Sequence, residues 1–438
     1  MHSYRRDLEL LRDRRFTLLF LARSISMLGT AFAPVALAFG VLALPGSTPT
    51  TLSVVMAAEA IPAVVFMLAG GVIADRFPRY RVMMAAEILS TVGFAGIAVM
   101  LLTGNAPVGG LVVAAAVAGT AVALMWPALT GIIPEVVAAD RLQPANALLQ
   151  LGANISRITG FALGGLTVVL IGGGWALAIS ASLFAIAAVL IATLRLAPVA
   201  RAARERGRTA FTDLREGWRE FSSRQWLWVI VLQFSFLVAA IQASHGALGP
   251  VVAKDELGGA GAWTAFLVGE AAGTVLGVFV AMRVRPRRPM LFGELLTIPL
   301  ALPYVLLGVG APLWTVVAAG VVMGVCLDVF LVIWQTTLQR EITPGALSRV
   351  SAYDALGSFM LGPIGLLVAG PAASAFGAKP ALIACGVLMT VATLASLLSP
   401  SVRRMRGPAT GGPLEPGTGV EPTTADPTDP LPMPTTTR

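Results

Sequence analysis

The chain has 438 residues, of which 56% are hydrophobic and only 12% charged, with a mean hydropathy of +0.81. Soluble domains carry about 25% charged residues, so a chain this apolar cannot cover a water-facing surface, and a soluble enzyme or binding module is excluded at the outset. The net charge of +8 would point to nucleic acid in a soluble protein; in a membrane protein it reflects basic residues gathered on cytoplasmic connections, and no nucleic-acid partner is expected.

In chain order, residues 1–15, with the charged run YRRDLELLRDRR, read as a cytoplasmic lead-in. The apolar run that follows is too long for a signal-peptide core and reads as a first membrane helix. A spanning helix needs about 20 mostly apolar residues. Twelve stretches qualify: 16–43, 50–74, 82–103, 108–133, 146–171, 174–194, 226–250, 261–282, 290–309, 312–337, 347–372 and 377–399. Alternation of period two is scarce, which favours an all-α integral membrane protein over a β-barrel.

The polar stretch 195–225 separates six spans from six, so 16–194 and 226–400 are the expected bundles. Within the stretch, Phe211, Leu214, Trp218 and Phe221 recur at helical spacing and predict an amphipathic helix on the inner leaflet. The tail 401–438 is rich in Pro, Thr and Gly and reads as disordered and cytoplasmic. With the N-terminus inside, all of the 31 Lys and Arg except Lys254, Lys379, Arg23 and Arg157 fall in cytoplasmic segments. A miscounted helix would scatter that asymmetry, so count and orientation support each other. Cys326 and Cys385 lie in apolar runs and suggest neither a disulfide framework nor a metal site. No GxxxxGK[ST] loop is present, so neither a nucleotide nor another cofactor is expected.

The two halves repeat. At an offset of 207, Gly70 meets Gly277, Arg76 meets Arg283, Arg81 meets Arg288 and Glu87 meets Glu294; at 208, Trp126 meets Trp334. Matches at equivalent topological places are a mark of secondary transporters. The hinge between spans 2 and 3, GGVIADRFPRYR, has three residues between Gly71 and Asp75-Arg76, then Arg79 and Arg81. It resembles the loop motif of the major facilitator superfamily, with Pro78 where a glycine is usual. Its counterpart between spans 8 and 9, GVFVAMRVRPRR, carries Met282 in place of the acid. GFALGG, which contains Gly160, Gly164 and Gly165, is similar to the span-5 antiporter motif of that family, with Phe161 in place of proline. PALTGIIPEVVAADRLQPANAL looks like the branch that contains enterobactin and macrolide exporters. The resemblance implies two pseudo-symmetric six-helix bundles, and a gate at the inner end in which Asp75 pairs across the bundles or with a helix end.

Ionisable residues inside spans are costly and require a partner, water or a function. Arg23, about seven residues into span 1, is in snorkelling range of the inner face. Arg157 lies near the midplane, as a structural clamp in the N-terminal bundle or as a functional group. Glu87 and Glu294, each six residues after a basic loop residue, read as gate salt bridges; Asp354 reads as an interfacial cap. Asp328, Glu270 and Glu59 are the proton-coupling candidates, with the first two favoured because both arginines lie in the other half. Trp126, Gln233, Gln242, His245, Trp334 and Gln335 are candidate cavity residues. The expected function is a monomeric secondary transporter in a bacterial cytoplasmic membrane, exporting a small amphipathic molecule by proton antiport. Uptake by proton symport and a non-transporting sensor on the same scaffold are the alternatives. An enzyme is not expected, because no Ser/His/Asp or metal constellation accompanies the two histidines.

Overall fold

The computed structural model describes residues 9–138, 141–194 and 210–405. The first eight residues, 195–209 of the linker and the tail from 406 lie outside the described residues. Every regular element described is helical. The first half contains α1 (Arg14–Leu42), α2 (Pro49–Val65), α3 (Met67–Arg76), α4 (Arg79–Thr103), α5 (Val108–Val136), α6 (Leu142–Ile171) and α7 (Gly173–Ala192). After α8 (Ala210–Ser222) come α9 (Gln225–Ala243), α10 (Gly249–Glu256), α11 (Ala260–Ala281), α12 (Pro289–Thr297) and α13 (Leu302–Val309). The chain continues with α14 (Leu313–Glu341), α15 (Pro344–Phe359), α16 (Gly362–Phe376), α17 (Ala378–Ser396) and α18 (Pro400–Arg404).

Eleven of the described helical stretches are long and apolar enough to cross a membrane, and Pro49–Val65 is a shorter apolar helix. The second expected span, 50–74, is therefore two helices, interrupted at Phe66 (φ −90°, ψ 2°). The interruption comes one turn after Pro62, which already leaves the helical ladder one N–H short. Proline also marks other irregularities. Ser244–Leu248 is a π-helical turn joining α9 to α10 just before Pro250, and a 3₁₀ turn at Ile298–Ala301 joins α12 to α13 between Pro299 and Pro303. Such turns relieve the missing N–H and re-aim the side chains around them.

Helices α1–α7 pack chiefly on one another, as do α9–α17. Lipid gives no hydrophobic drive to helix association, so the helices gain from close backbone approach at small residues. Gly119 of α5 lies against the backbone of Glu59 on α2, and Gly324 of α14 against the backbone of Glu270 on α11. All positive-φ residues among those described are glycines, and Gly46, Gly104, Gly172, Gly258, Gly259, Gly310 and Gly377 all lie in the short turns at one end of the bundle. The opposite end carries the charged connections.

The two halves meet at the turn end. Thr50 and Ser374 hydroxyls lie 3.2 Å apart, and the Lys254 ammonium donates to the Leu42 carbonyl at 2.5 Å, a cation on the C-terminus of α1. Gly165 of α6 abuts Thr264 of α11, and Gly370 of α16 abuts Thr50 and Ser53 of α2. Near mid-span, Arg157 donates to the Thr274 hydroxyl.

The linker helix α8, expected on the inner leaflet, also packs against protein. It docks on α15. Trp218 and Phe221 lie with ring centroids 5.6 and 6.1 Å from Tyr353, and Glu216 pairs with Arg349 at 3.2 Å. Phe221 is buried while Trp218 stays exposed. Phe211 and Leu214 have side chains outside the described residues.

Candidate functional site

A cavity of about 440 Å³ lies between the halves, on the charged-end side of these contacts. Its walls come mostly from the first half. They include Arg23, Ser26, Met27 and Thr30 on α1, Met56 and Glu59 on α2, Glu87, Ser90 and Phe94 on α4, Met125 on α5 and Phe161 on α6. The second half contributes Gln242, His245, Gly246 and Leu366. The volume falls in the range of small-molecule sites, and the lining is mainly apolar with a few convergent polar groups.

Four expected site residues, Arg23, Glu59, Gln242 and His245, do line the cavity. Arg23 faces Glu87 instead of snorkelling to the inner surface, and Ser26 is within hydrogen-bonding reach of the same carboxylate. The expectation that Glu87 forms a salt bridge with the basic loop is thus corrected: the rotation of α4 turns it to α1 and the cavity. Glu294 is corrected in the same way. It is buried and accepts a hydrogen bond from the Ser396 hydroxyl at 2.5 Å. Asp354 is also buried, accepting from Trp334 Nε1 at 3.1 Å and from the Ser358 hydroxyl at 3.4 Å.

That bond takes Trp334 out of the cavity. Its ring packs against Trp226 and Phe330 in the core of the second half. Gln233 is likewise in a packing network, donating to Thr297 and Thr393 at 3.2 and 3.0 Å. Gln335 is exposed and does not line the cavity. Gly71 and Asp75 fall on α3; the surroundings of Gly71 and the side chains of Asp75 and Trp126 lie outside what is described.

The coupling candidates have three different surroundings. Glu270 Oε2 lies 3.5 Å from His245 Nε2, and the same nitrogen lies 2.9 Å from the Tyr304 hydroxyl. The imidazole is ringed edge-on by Trp263, Phe266 and Tyr304. Asp328 lies within charge–charge range of Arg157, so the arginine's place in the first half does not keep it from an acid of the second. Asp328 Oδ2 and Arg157 Nε are both buried without a hydrogen-bond partner. Glu59 faces the cavity with no paired group described.

The motif glycines separate by partner. Gly160 lies against Leu28 and Ala31 and Gly164 against Phe32, both on α1, whereas Gly165 alone faces the other half at Thr264. In the charged hinge, Arg79 pairs with Glu135 on α5 at 3.3 Å, and Arg81 Nε donates to the Tyr80 hydroxyl at 3.1 Å. Arg76 is exposed. Glu135, Tyr304 and Thr274 were not singled out by sequence reasoning. Glu135 does sit inside the quoted PALTGIIPEVV segment, at the charged end of its helix, where a partner for a basic loop could be sought.

The sequence pattern of the Major Facilitator Superfamily matches residues 18–366. The chain belongs to that family. As a superfamily member it is a multi-pass membrane transporter of small molecules and not an enzyme. It is similar to the multidrug efflux pump Tap of Mycobacterium tuberculosis, with 25% identity over 409 residues covering 90% of this chain and 95% of the relative. It is also similar to the enterobactin exporter EntS of Salmonella choleraesuis, with 25% identity over 408 residues, covering 88% and 94%. Among solved structures, the nucleoside transporter NupG shares the fold with a TM-score of 0.70 at 15% identity, covering 88% of this superfamily member and 98% of NupG. A POT family transporter in complex with a thioalcohol-conjugated peptide matches with a TM-score of 0.69 at 12% identity, covering 88% and 96%.

Proposed function

We propose that this transporter exports a small amphipathic molecule across the bacterial cytoplasmic membrane, by proton antiport with alternating access. The observation that carries the reading is the cavity between the halves, beside the His245–Glu270–Tyr304 cluster. Relatives named as an efflux pump and as an exporter favour the outward direction. The fold itself, shared with a nucleoside transporter, is neutral on direction. With both termini and the basic connections in the cytoplasm, the contacts at the turn end close the outer side, and the cavity belongs to an inward-facing state. The bundles 16–194 and 226–400 rock about it as a monomer.

In this reading Glu270 carries the coupling proton, because it is joined to a second titratable group in the cavity wall. Asp328 with Arg157 holds the bundles in register at mid-span. Asp75 acts at the inner gate with Arg76, while the Arg79–Glu135 pair fixes the hinge to its own bundle. The test uses everted membrane vesicles energised by a proton gradient. Substrate should accumulate and should leak back when an uncoupler is added. Accumulation that survives the uncoupler rejects proton drive, and accumulation only in right-side-out vesicles makes the protein an uptake symporter. In the same assay Asp75→Asn should slow transport several-fold with substrate affinity retained; an unchanged rate removes Asp75 from the gate.

A further inference from the structure

The charges around the cavity do not cancel. Arg23 and Glu87 lie within charge–charge range of each other. His245 is engaged by Glu270 and Tyr304. That leaves Glu59, a cavity-lining carboxylate for which the described residues supply no cation and no hydrogen-bond donor. Its place is fixed from behind. Gly119 brings the backbone of α5 so close to Glu59 that a Cβ there would collide with the Glu59 carbonyl. The helix is thereby held with the Glu59 side chain on the cavity side.

The surroundings of this acid suit one kind of guest. Met27, Met56 and Met125 come from three different helices and line the same space. Thioether side chains are polarisable and adapt to irregular apolar shapes, a property shared by promiscuous binding surfaces. Phe94 and Phe161 add aromatic rings, and a ring face attracts a cation and not an anion. An isolated charge in a low-dielectric cavity is costly, so an ionised Glu59 calls for a counter-charge that arrives with the ligand.

We infer that the cavity takes lipophilic cations, with a protonated amine or onium centre held by Glu59 and an apolar body lying against the methionine walls. This rests on the transport reading only in treating the cavity as the substrate site. It goes beyond that reading by assigning the sign of the substrate's charge and the residue that selects it.

The test is equilibrium binding to the purified full-length protein in lipid nanodiscs. Two ions of nearly the same size and shape serve as probes, the cation tetraphenylphosphonium and the anion tetraphenylborate. The native protein should bind the cation at least about tenfold more tightly than the anion. Glu59→Gln should weaken cation binding by about tenfold or more and change anion binding by less than about twofold, while Glu59→Asp retains most of the cation preference. Thermal unfolding of each variant, measured alongside, separates lost selectivity from lost folding. Equal binding of the two ions by the native protein, or a Glu59→Gln variant that folds and keeps its cation affinity, overturns the inference. The transport reading fails separately: cation binding that depends on Glu59, with no cation flux in proteoliposomes, upholds the site and rejects the exporter.

Discussion

Glu270→Gln is expected to lower proton-driven accumulation roughly 100-fold, the scale of losing a positioned proton-transfer group, while leaving substrate counterflow close to the native rate. The argument is geometric. His245 Nε2 has two partners, the Glu270 carboxylate at 3.5 Å and the Tyr304 hydroxyl at 2.9 Å. A neutral imidazole with its proton on Nδ1 accepts from the tyrosine O–H at Nε2; the imidazolium, one proton richer, donates from Nε2 to the carboxylate. The cluster therefore has two hydrogen-bond states that differ by one proton, and the ring contacts of Trp263, Phe266 and Tyr304 limit other rotations of the imidazole. Glutamine keeps the shape of Glu270 and removes its charge and its proton site. Counterflow exchanges substrate without net proton movement, so it reports whether the cavity still opens to both sides. Loss of counterflow together with accumulation would make Glu270 a structural residue. Full accumulation in the variant would place the coupling proton elsewhere, with Asp328 the next to test.

Gly165→Ala is the second change with a large expected effect. A methyl group at this position would collide with Thr264 across the bundle interface. Overpacking of this kind costs about 1–3 kcal/mol, roughly a 5- to 150-fold change in an equilibrium. Here the cost falls only on the state in which the turn end is shut, because Thr264 belongs to the other half. Transport should fall by a corresponding factor, with the population moved toward the state open at the turn end. The same substitution at Gly160 meets α1 of its own half and should act through stability instead. The check is a double-mutant cycle with Thr264→Gly, which makes room for the new methyl. Recovery of transport in the pair, with each single variant impaired, measures the contact directly. No recovery would mean that Gly165 matters for a reason other than closure.

The membrane architecture was legible because hydropathy and the inside bias of arginine are local properties, read one segment at a time. The irregular spans were half legible: Pro62, Pro250 and Pro299 mark where ladder bonds are lost, but not whether the chain breaks, bulges or continues. Helix rotation was not legible at all. Glu87 and Trp334 illustrate this from opposite sides, since the acid placed at the gate lines the cavity and the tryptophan placed in the cavity is buried in the core. One turn of helix presents about 3.6 directions, and in a chain this apolar the hydrophobic pattern does not choose between lipid, neighbour and cavity. Partners far apart in sequence were hidden for the same reason. One of the two readings of Arg157 clamps it inside its own bundle, yet it meets Thr274, 117 positions later, in the other half.

The two lysines give the turn end a chemical identity of its own. Lys254 is tied to the Leu42 carbonyl and Lys379 to Glu256, both at 2.5 Å, and all the others among the 31 Lys and Arg are arginine. A guanidinium stays protonated at neutral pH and does not acylate, whereas a lysine released from its hydrogen bond reacts through its unprotonated amine. An amine-directed ester confined to one side of the membrane therefore reads the closure of this end at Lys254, with Lys379 as a neighbouring reference. The native chain, without an engineered label, reports its own opening through acylation at a single site between its halves.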